Sequence, residues 1–294
     1  MTLQLVELGC CPVCKTKTPH TPLYQLQKFK VYQCRCGVKF IDPSLSGESM
    51  MEIYRSSEDL RAINTTLEHY YEYETLKPGT KTYRDYSQAL KALAGLTAGR
   101  ELLEVGCGSG SFLKVAKEHG WQAAGVDSSA ENVSKLQAEG LEAAASDFLD
   151  YQPPKKFDAV IFWDLIEHPQ DPGKFIEKAR ELLKPQGYLL IASPHDPNLV
   201  TIIAFWLYQL SQGKMKWPLE RFYVVEHTSY FSIDTIKRFL ASKGFKTVRM
   251  WKTETDLDRY QLSATLRLFL KVAFLFARWL KLQNRFIAIA QKSN

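Results

Sequence analysis

The sequence predicts an α/β fold in which a parallel sheet carries helices on both faces, preceded by a small cysteine-rich module. From residue 101 onward, short apolar runs alternate with amphipathic helical segments, the order that builds a parallel sheet. A glycine-rich turn joins the first of these strands to its helix. Five of the six cysteines lie within the first 36 residues, and such clustering indicates metal binding.

Length and composition fit one large domain and one small module. The chain has 294 residues, of which 45% are apolar and 24% charged, as in ordinary globular proteins. The net charge of +6 favours an anionic partner, such as a phosphate-bearing substrate, a nucleic acid or a membrane surface. We find no signal peptide and no spanning apolar run, so we expect a cytoplasmic protein whose cysteines are thiols or metal ligands.

Two short cysteine knuckles define the N-terminal module, residues 1–45. They read Cys11-Pro-Val-Cys14 and Cys34-Arg-Cys36. Four thiolates at this spacing can surround a zinc ion and leave no open position, which predicts a structural role. The second knuckle is one residue short, so Cys10 or His20 could replace one ligand, and buried free thiols remain the alternative.

A connector, residues 46–75, is predicted to hold a short helix over Met50–Tyr54, and the large domain is predicted over 76–294. Its strands are expected at 101–105, 122–127, 141–146, 157–163, 187–192, 245–251 and 284–291. Its helices are expected at 111–119, 129–139, 172–183, 234–243 and 264–282. Ligands of such sheets lie beyond the carboxyl ends of the strands.

The glycine-rich turn predicts a nucleotide-like ligand. Gly106, Gly108 and Gly110 let bare backbone approach a ligand at the start of a helix, where N–H groups are unpaired. A dinucleotide fingerprint would need glycine where Ser111 stands, and no Gly-Lys-Ser/Thr closes a P-loop. A structural turn is the alternative for the glycines taken alone.

Together with the acids around it, this turn resembles the class I S-adenosylmethionine-dependent methyltransferases. Glu104 precedes the glycines, and Asp127 ends the next strand. The resemblance covers about residue 76 to the end and implies a Rossmann-like, seven-stranded sheet. It also implies that S-adenosylmethionine binds at Glu104 and the three glycines, with Asp127 taking the ribose hydroxyls.

Later strand ends carry the rest of the resemblance. It implies that Asp147 meets the adenine amino group and that Phe148 packs on the ring, although Asp147 could equally be a turn or N-cap residue. Asp164, in the stretch Trp163-Asp-Leu-Ile-Glu-His168, is a further cofactor-binding candidate. The loop lacks the Pro-Pro-aromatic sequence of base-amine methylases, which disfavours that activity.

Two Glu-His pairs supply the catalytic candidates. The stretch Glu226-His227-Thr-Ser-Tyr-Phe-Ser resembles the zinc-ribbon methyltransferases of bacterial sugar and cell-surface biosynthesis, where the histidine lies on the acceptor side. We therefore expect His227 to be the general base, assisted by Glu226, with His168 as the second candidate. A histidine that only binds loop backbone is the alternative.

Two features have two interpretations each. Tyr83 or Tyr86 could cover the cofactor or pack a helix onto the sheet. An apolar insertion at 196–222 and the helix at 264–282 could pack in the core or contact a membrane interface or lipid tail. The second helix carries four basic residues within an arc of about 80°.

The combined prediction is a methyltransferase that modifies a small-molecule, sugar or lipid-linked glycan acceptor at oxygen or carbon. Peripheral contact with the inner face of a membrane is compatible with it, and nucleic acid is the less favoured partner. One alternative is an RNA methyltransferase that uses the cysteine module and the basic surface. Another is a scaffold that binds S-adenosylmethionine without transfer.

Overall fold

A computed structural model describes residues 3–18, 21–54, 76–259 and 262–293. The possible ligand His20 and the connector from residue 55 to 75 lie outside the described residues.

The described strands and helices follow the predicted alternation from residue 101 onward. The strands are β1 (Leu5–Val6), β2 (Tyr24–Gln25), β3 (Lys30–Gln33), β4 (Lys39–Asp42), β5 (Ser44–Leu45), β6 (Glu101–Val105), β7 (Gln122–Asp127), β8 (Glu142–Ala145), β9 (Phe157–Trp163), β10 (Leu183–Pro194), β11 (Ser229–Tyr230), β12 (Phe245–Thr253) and β13 (Arg285–Lys292). The helices are α1 (Gly47–Ile53), α2 (Lys81–Ala94), α3 (Ser111–Glu118), α4 (Ala130–Ala138), α5 (Pro172–Leu182), α6 (Leu199–Leu210), α7 (Trp217–Glu220), α8 (Ile233–Ser242) and α9 (Ala264–Trp279).

The central sheet has seven strands in the order β12-β13-β10-β9-β6-β7-β8. Strands β10, β9, β6, β7 and β8 run parallel, whereas β13 pairs antiparallel with both β10 and β12. This arrangement confirms the predicted Rossmann-like, seven-stranded sheet with a last antiparallel strand. It brings the carboxyl ends of the parallel strands to one edge, where the predicted site residues lie.

Helices cover both faces of the sheet. On one face, α2 and α3 bury Leu93 and Phe112 against the strands. On the other face, α5 and α8 bury Ile176 and Phe239 against the strands. The buried apolar side chains of each layer are the main source of stability, at about 25 cal/mol per Å² removed from water.

The cysteine module is joined to the central domain by a strand and by shared core. Strand β11, from the second half of the chain, pairs with β4 to complete the four-stranded sheet β11-β4-β3-β2. Cys11 and Phe40 of the module are fully buried in the same apolar cluster as Phe231 and Leu189. The module therefore packs beside the carboxyl-end edge of the sheet.

Local caps explain where several elements begin. Helix α1 starts earlier than predicted because the Ser46 side chain accepts the backbone N–H of Ser49. Asn198 caps α6 through a reciprocal pair with Thr201. Strand β10 begins at Leu183, where it first pairs with Phe157, and so is longer than predicted.

The apolar helix α9 packs little against the protein. Ala277 is its single buried residue among those described. The sequence left core packing open for this helix, but most of its apolar side chains face outward. Within the described part of the chain, no helix has the length and apolar character needed to cross a bilayer.

Candidate functional site

The turn after β6 requires glycines because of its backbone angles and close contacts. The φ angles of Gly106, Gly108 and Gly110 are 70°, 49° and 70°. A Cβ atom at Gly110 would lie 2.4 Å from Cδ2 of Leu136. At Gly108 the same atom would meet no protein atom within 4 Å, and Gly108 lines a cavity. The turn therefore presents bare backbone to a ligand.

Asp127 ends β7 beside this turn. Its Oδ2 accepts a hydrogen bond from the Gly108 N–H at 2.8 Å, and its Oδ1 accepts one from the Ser129 N–H at 2.8 Å. Burial raises the pKa of the Asp127 carboxyl, and these two bonds oppose the rise. The carboxylate is thus held in one orientation at the cavity wall, as recognition of a diol requires.

Glu104 is a buried acid on β6. Burial, with the neighbouring Asp127 charge, raises the pKa of Glu104 well above its usual value. Its Oε2 atom has no hydrogen-bond partner within the described ranges. Glu104 itself does not line the cavity, whereas Val105 and Gly106, which follow it, do.

Asp147 and Phe148 follow β8 and line the same cavity. Asp147 is exposed, and its Oδ1 accepts the backbone N–H of Leu149 at 2.7 Å. This bond is the one expected of a turn residue, the alternative role given for Asp147 in the sequence analysis. Phe148 is buried edge-on against Phe162, with ring centroids 5.7 Å apart. Phe148 thus gives this part of the cavity a fixed apolar wall.

Asp164 lies just beyond β9 in a left-handed conformation, with φ of 52°. Its carboxylate forms an ion pair with the guanidinium of Arg285 at the start of β13, and both side chains are about nine-tenths buried. A non-glycine residue at positive φ is held only by its surroundings, and here the ion pair supplies the restraint. Asp164 and Arg285 both line the cavity.

His168 and His227 face each other across the cavity wall. Their ring centroids lie 4.8 Å apart, with the planes at 76°. Nδ1 of His168 lies 2.8 Å from the backbone carbonyl oxygen of Glu226, so this nitrogen carries the proton in the neutral ring. The Tyr54 hydroxyl lies 3.3 Å from the same nitrogen. Nδ1 of His227 is buried and has no hydrogen-bond partner within the described residues.

Electrostatics keep both histidines neutral. Burial lowers the pKa of His168. Burial lowers the pKa of His227 well below 6.5, and the neighbouring His168 lowers it further. A neutral imidazole is the form that can accept a proton from a bound acceptor.

Glu167 lies beside the two rings. Burial and the Asp164 charge raise the pKa of Glu167 to about 8, and its Oε2 accepts the Ser193 hydroxyl at 2.9 Å. Ligand atoms of Glu167, His168 and His227 lie within 4.8 Å of one another. The three groups are therefore close enough to share a proton or to bind one cation.

One cavity of about 580 Å³ connects these groups. Its first half is lined by Gly106, Gly108, Asp127, Asp147 and Phe148. Its second half is lined by Tyr54, Asp164, His168, Glu226 and His227. The fold thus brings two sets of residues, from distant parts of the sequence, to one space that can hold two ligands.

The four cysteines predicted as ligands form a cluster. Sulfur atoms of Cys11, Cys14, Cys34 and Cys36 all lie within 4.8 Å of one another. The Cys11–Cys36 sulfur distance is 3.8 Å and the Cys14–Cys34 distance is 3.3 Å. Four sulfurs at about 2.3 Å from one ion would have similar separations. The donor set therefore fits a tetrahedral metal.

Tyr83 and Tyr86 pack on helices. The Tyr83 hydroxyl donates to Glu118 at 2.8 Å. The Tyr86 ring contacts Phe112 and Trp163, with centroid distances of 5.0 Å and 4.6 Å. Neither tyrosine lines the cavity, which favours the packing interpretation over the covering one.

Sequence reasoning missed Arg285 and Tyr54. An arginine at the start of an apolar strand was a visible signal, because a buried guanidinium needs an acidic partner. Tyr54 gave no comparable signal, since its contact with His168 joins residues 114 positions apart.

Comparison with known sequences places most of the large domain in a methyltransferase family. Residues 79–250 match a family model described as a methyltransferase domain. Ubiquinone biosynthesis O-methyltransferase of Bradyrhizobium sp. (strain ORS 278) is 30% identical over 113 residues, which are 36% of this chain and 43% of the relative. The same enzyme of Rhodopseudomonas palustris (strain TIE-1) is 32% identical over 120 residues, or 37% and 46%. The matches thus span less than half of these relatives.

Solved structures share the fold. A Burkholderia thailandensis 1,6-didemethyltoxoflavin-N1-methyltransferase, with 1,6-didemethyltoxoflavin and S-adenosylhomocysteine bound, aligns with a TM-score of 0.52 and 14% identity. The alignment covers 93% of this chain and all of that one. An S-adenosylmethionine-dependent methyltransferase of Archaeoglobus fulgidus aligns with a TM-score of 0.50 and 20% identity, covering 76% and 99%.

Proposed function

The chain belongs to the class I S-adenosylmethionine-dependent methyltransferases, and we propose that it methylates oxygen or carbon of a small-molecule acceptor, with a sugar or lipid-linked glycan as the preferred class. The observation that carries the proposal is the single cavity that joins the glycine turn to the two histidines. One half of that cavity suits the methyl donor, and the other half suits an acceptor that must lose a proton.

The first half of the cavity has the properties that S-adenosylmethionine requires. Asp127 is oriented by two N–H donors and would take the ribose hydroxyls, while Gly108 leaves room for the ligand against the backbone. Glu104 directly precedes the lining residues Val105 and Gly106 and is kept as a proposed cofactor-binding residue. Asp147 and Phe148 would contact the adenine amino group and ring. When bound, S-adenosylmethionine supplies an electrophilic methyl group.

In the second half, His227 is proposed as the general base. Methyl transfer is an in-line displacement, so the protein must hold the acceptor close and remove its proton. His227 lines the cavity, and burial lowers its pKa, so the ring is neutral before transfer. The Glu226 backbone carbonyl fixes the tautomer of His168, which positions the second ring against the first. His168 remains the second candidate for the base.

The relatives and the cavity lining support a small acceptor with an apolar part. The matched relatives are named as O-methyltransferases of ubiquinone biosynthesis. In this chain, Leu270 and Phe274 of α9 and Val200 of α6 line the cavity beside the polar groups. A polar head held near His227 and an apolar tail along these side chains would use both surfaces.

A structural zinc ion is proposed for Cys11, Cys14, Cys34 and Cys36. The sulfur separations and the all-thiolate donor set support it. Lys15 adopts φ of 60°, the conformation that a glycine commonly supplies after such a knuckle. The ion would hold the module against the edge of the sheet.

The test is to incubate the purified chain with methyl-labelled S-adenosylmethionine and a bacterial extract, and then to separate the label. Label in an organic-soluble or aqueous small-molecule fraction supports the proposal. Label in a nuclease-sensitive fraction would favour RNA as the acceptor and would contradict it.

A further inference from the structure

The outer surface of α6, α7 and α9 is apolar where a protein surface is normally polar. Nine large apolar side chains there are more than half exposed, from 51% for Ile203 to 79% for Trp279. They are Ile203, Trp206, Leu210, Trp217, Leu268, Phe269, Leu275, Phe276 and Trp279. We call this set the apolar surface. Large apolar patches on a soluble protein mark an interaction site.

Two basic side chains of α9 pair with acids that lie before the helix in the sequence. Arg278 pairs with the buried Glu254 at 2.7 Å, and Arg267 pairs with Asp258. At about 100° per residue, the exposed apolar side chains lie on the opposite side of the helix. An ordinary surface helix has the reverse orientation, so the ion pairs hold the apolar side outward.

The apolar surface borders the mouth of the cavity. Val200 of α6 and Leu270 and Phe274 of α9 line the cavity, and the outward faces of the same two helices contribute to the apolar surface. The Leu199 N–H at the start of α6 donates to the carbonyl of Leu282, three residues past the end of α9, at 3.0 Å. Whatever covers this surface therefore lies next to the acceptor half of the cavity.

The charge of the apolar surface favours an anionic lipid surface over a second copy of the chain. Lys214, Lys271 and Lys281 are exposed on or beside this surface, where Arg267 and Arg278 pair with Asp258 and Glu254. The acid of α7, Glu220, accepts the backbone N–H of Gln27. A second copy of this surface would bring like charges together, whereas an anionic lipid surface would neutralise them. Three of the nine apolar side chains are tryptophans, which favour the membrane–water interface.

We propose that the protein binds the surface of an anionic lipid bilayer through the apolar surface, with α9 lying in the plane of the interface. The exposed apolar side of α9 would enter the headgroup and acyl boundary, as amphipathic interfacial helices do. Lys271 and Lys281, both exposed, would contact anionic headgroups at its margin. Where the proposed methyl transfer holds, an acceptor tail could pass from the cavity directly into the lipid.

The test is sedimentation of the full chain with unilamellar vesicles, without methyl donor or acceptor. One vesicle preparation is phosphatidylcholine alone, and the other contains about one-third phosphatidylglycerol. We expect binding to the anionic vesicles that weakens with added salt. The double variant Phe269→Glu, Trp279→Glu should weaken that binding by at least about tenfold.

A matched control uses Val248→Glu, which places the same charge at an exposed apolar residue of the edge strand β12. This control should bind vesicles as the unchanged chain does. Binding of S-adenosylmethionine, measured by calorimetry, should be equal in all three proteins and shows that each is folded. Because no acceptor is present, the outcome does not depend on transfer activity.

Two results would overturn the proposal. The first is vesicle binding by the double variant as strong as that of the unchanged chain. The second is the absence of vesicle binding by the unchanged chain, including the case in which sedimentation velocity shows a dimer that the double variant abolishes.

Discussion

The ring centroids of His168 and His227 lie 4.8 Å apart, and the two rings differ in their hydrogen bonding. His168 is bound through Nδ1 to the Glu226 carbonyl, whereas Nδ1 of His227 has no partner within the described residues. His227 lines the cavity and is not held by a hydrogen bond at its buried Nδ1, whereas Nδ1 of His168 makes a positioning contact. This difference separates the roles of the two side chains.

The first prediction concerns His227. His227→Ala should lower kcat by at least about tenfold, because the proposed base is lost, while the dissociation constant for S-adenosylmethionine stays unchanged. His168→Ala should lower kcat less. Initial rates and calorimetry on both variants provide the measurement. A larger loss in the His168 variant would reverse the assignment of the base.

The second prediction concerns Gly108. Gly108→Ala should weaken S-adenosylmethionine binding by at least about tenfold, because a methyl group would enter the cavity and the φ of 49° would be strained. Gly140→Ala is the matched control, since Gly140 has φ of 74° and equal open space but lies away from the cavity. Calorimetry should show normal binding in the control. Equal weakening in both variants would mean that backbone strain alone is responsible.

The third prediction concerns the cysteine cluster. The purified chain should contain about one zinc ion, and Cys11→Ser should remove it and lower the thermal unfolding temperature. Cys10→Ser should keep the metal, because Cys10 is not part of the cluster. Elemental analysis and thermal melts measure both properties. Loss of zinc in the Cys10 variant would show that the ligand set is different.

The fourth prediction concerns pH. A histidine whose folded pKa is lowered stabilises the fold above its unfolded value of 6.5, and this stability is lost as pH falls through the folded pKa. Glu167 acts in the opposite sense, because its folded pKa is raised to about 8. Its contribution to stability is complete below pH 4.5 and is lost as the pH rises through about 8. Glu167 is present in both the unchanged chain and His227→Gln, so the comparison of these two proteins reports mainly on His227.

Urea unfolding at pH about 7 and about 5 provides that comparison. The free energy of unfolding should fall less on acidification in the His227→Gln variant, because one buried neutral histidine is absent. An equal fall in both proteins would mean that His227 is already solvated and charged at the lower pH.

Much of the fold followed from local sequence patterns. The strand at Glu101–Val105 was predicted with its exact bounds, because an apolar run followed by a glycine turn has few alternatives. The position of Asp127 beside Gly108 followed from the rule that parallel strands end at one edge. Short-range periodicity and strand order were sufficient for these features.

Long-range contacts could not be predicted in the same way. The Asp164–Arg285 ion pair joins residues 121 positions apart, and β11 joins the sheet of the N-terminal module across the chain. The periodicity of α9 indicated an apolar helix but not which side would face the protein. That orientation depends on Glu254 and Asp258, which lie outside the helix.

The most direct test of methyl transfer is the formation of S-adenosylhomocysteine by the purified chain in the presence of a bacterial extract. The account predicts product that depends on both extract and protein, and that is lost with Asp127→Ala because the proposed ribose contact is removed. A chain that binds S-adenosylmethionine by calorimetry yet forms no S-adenosylhomocysteine with any fraction of the extract would contradict the account. Such a chain would be a binding scaffold.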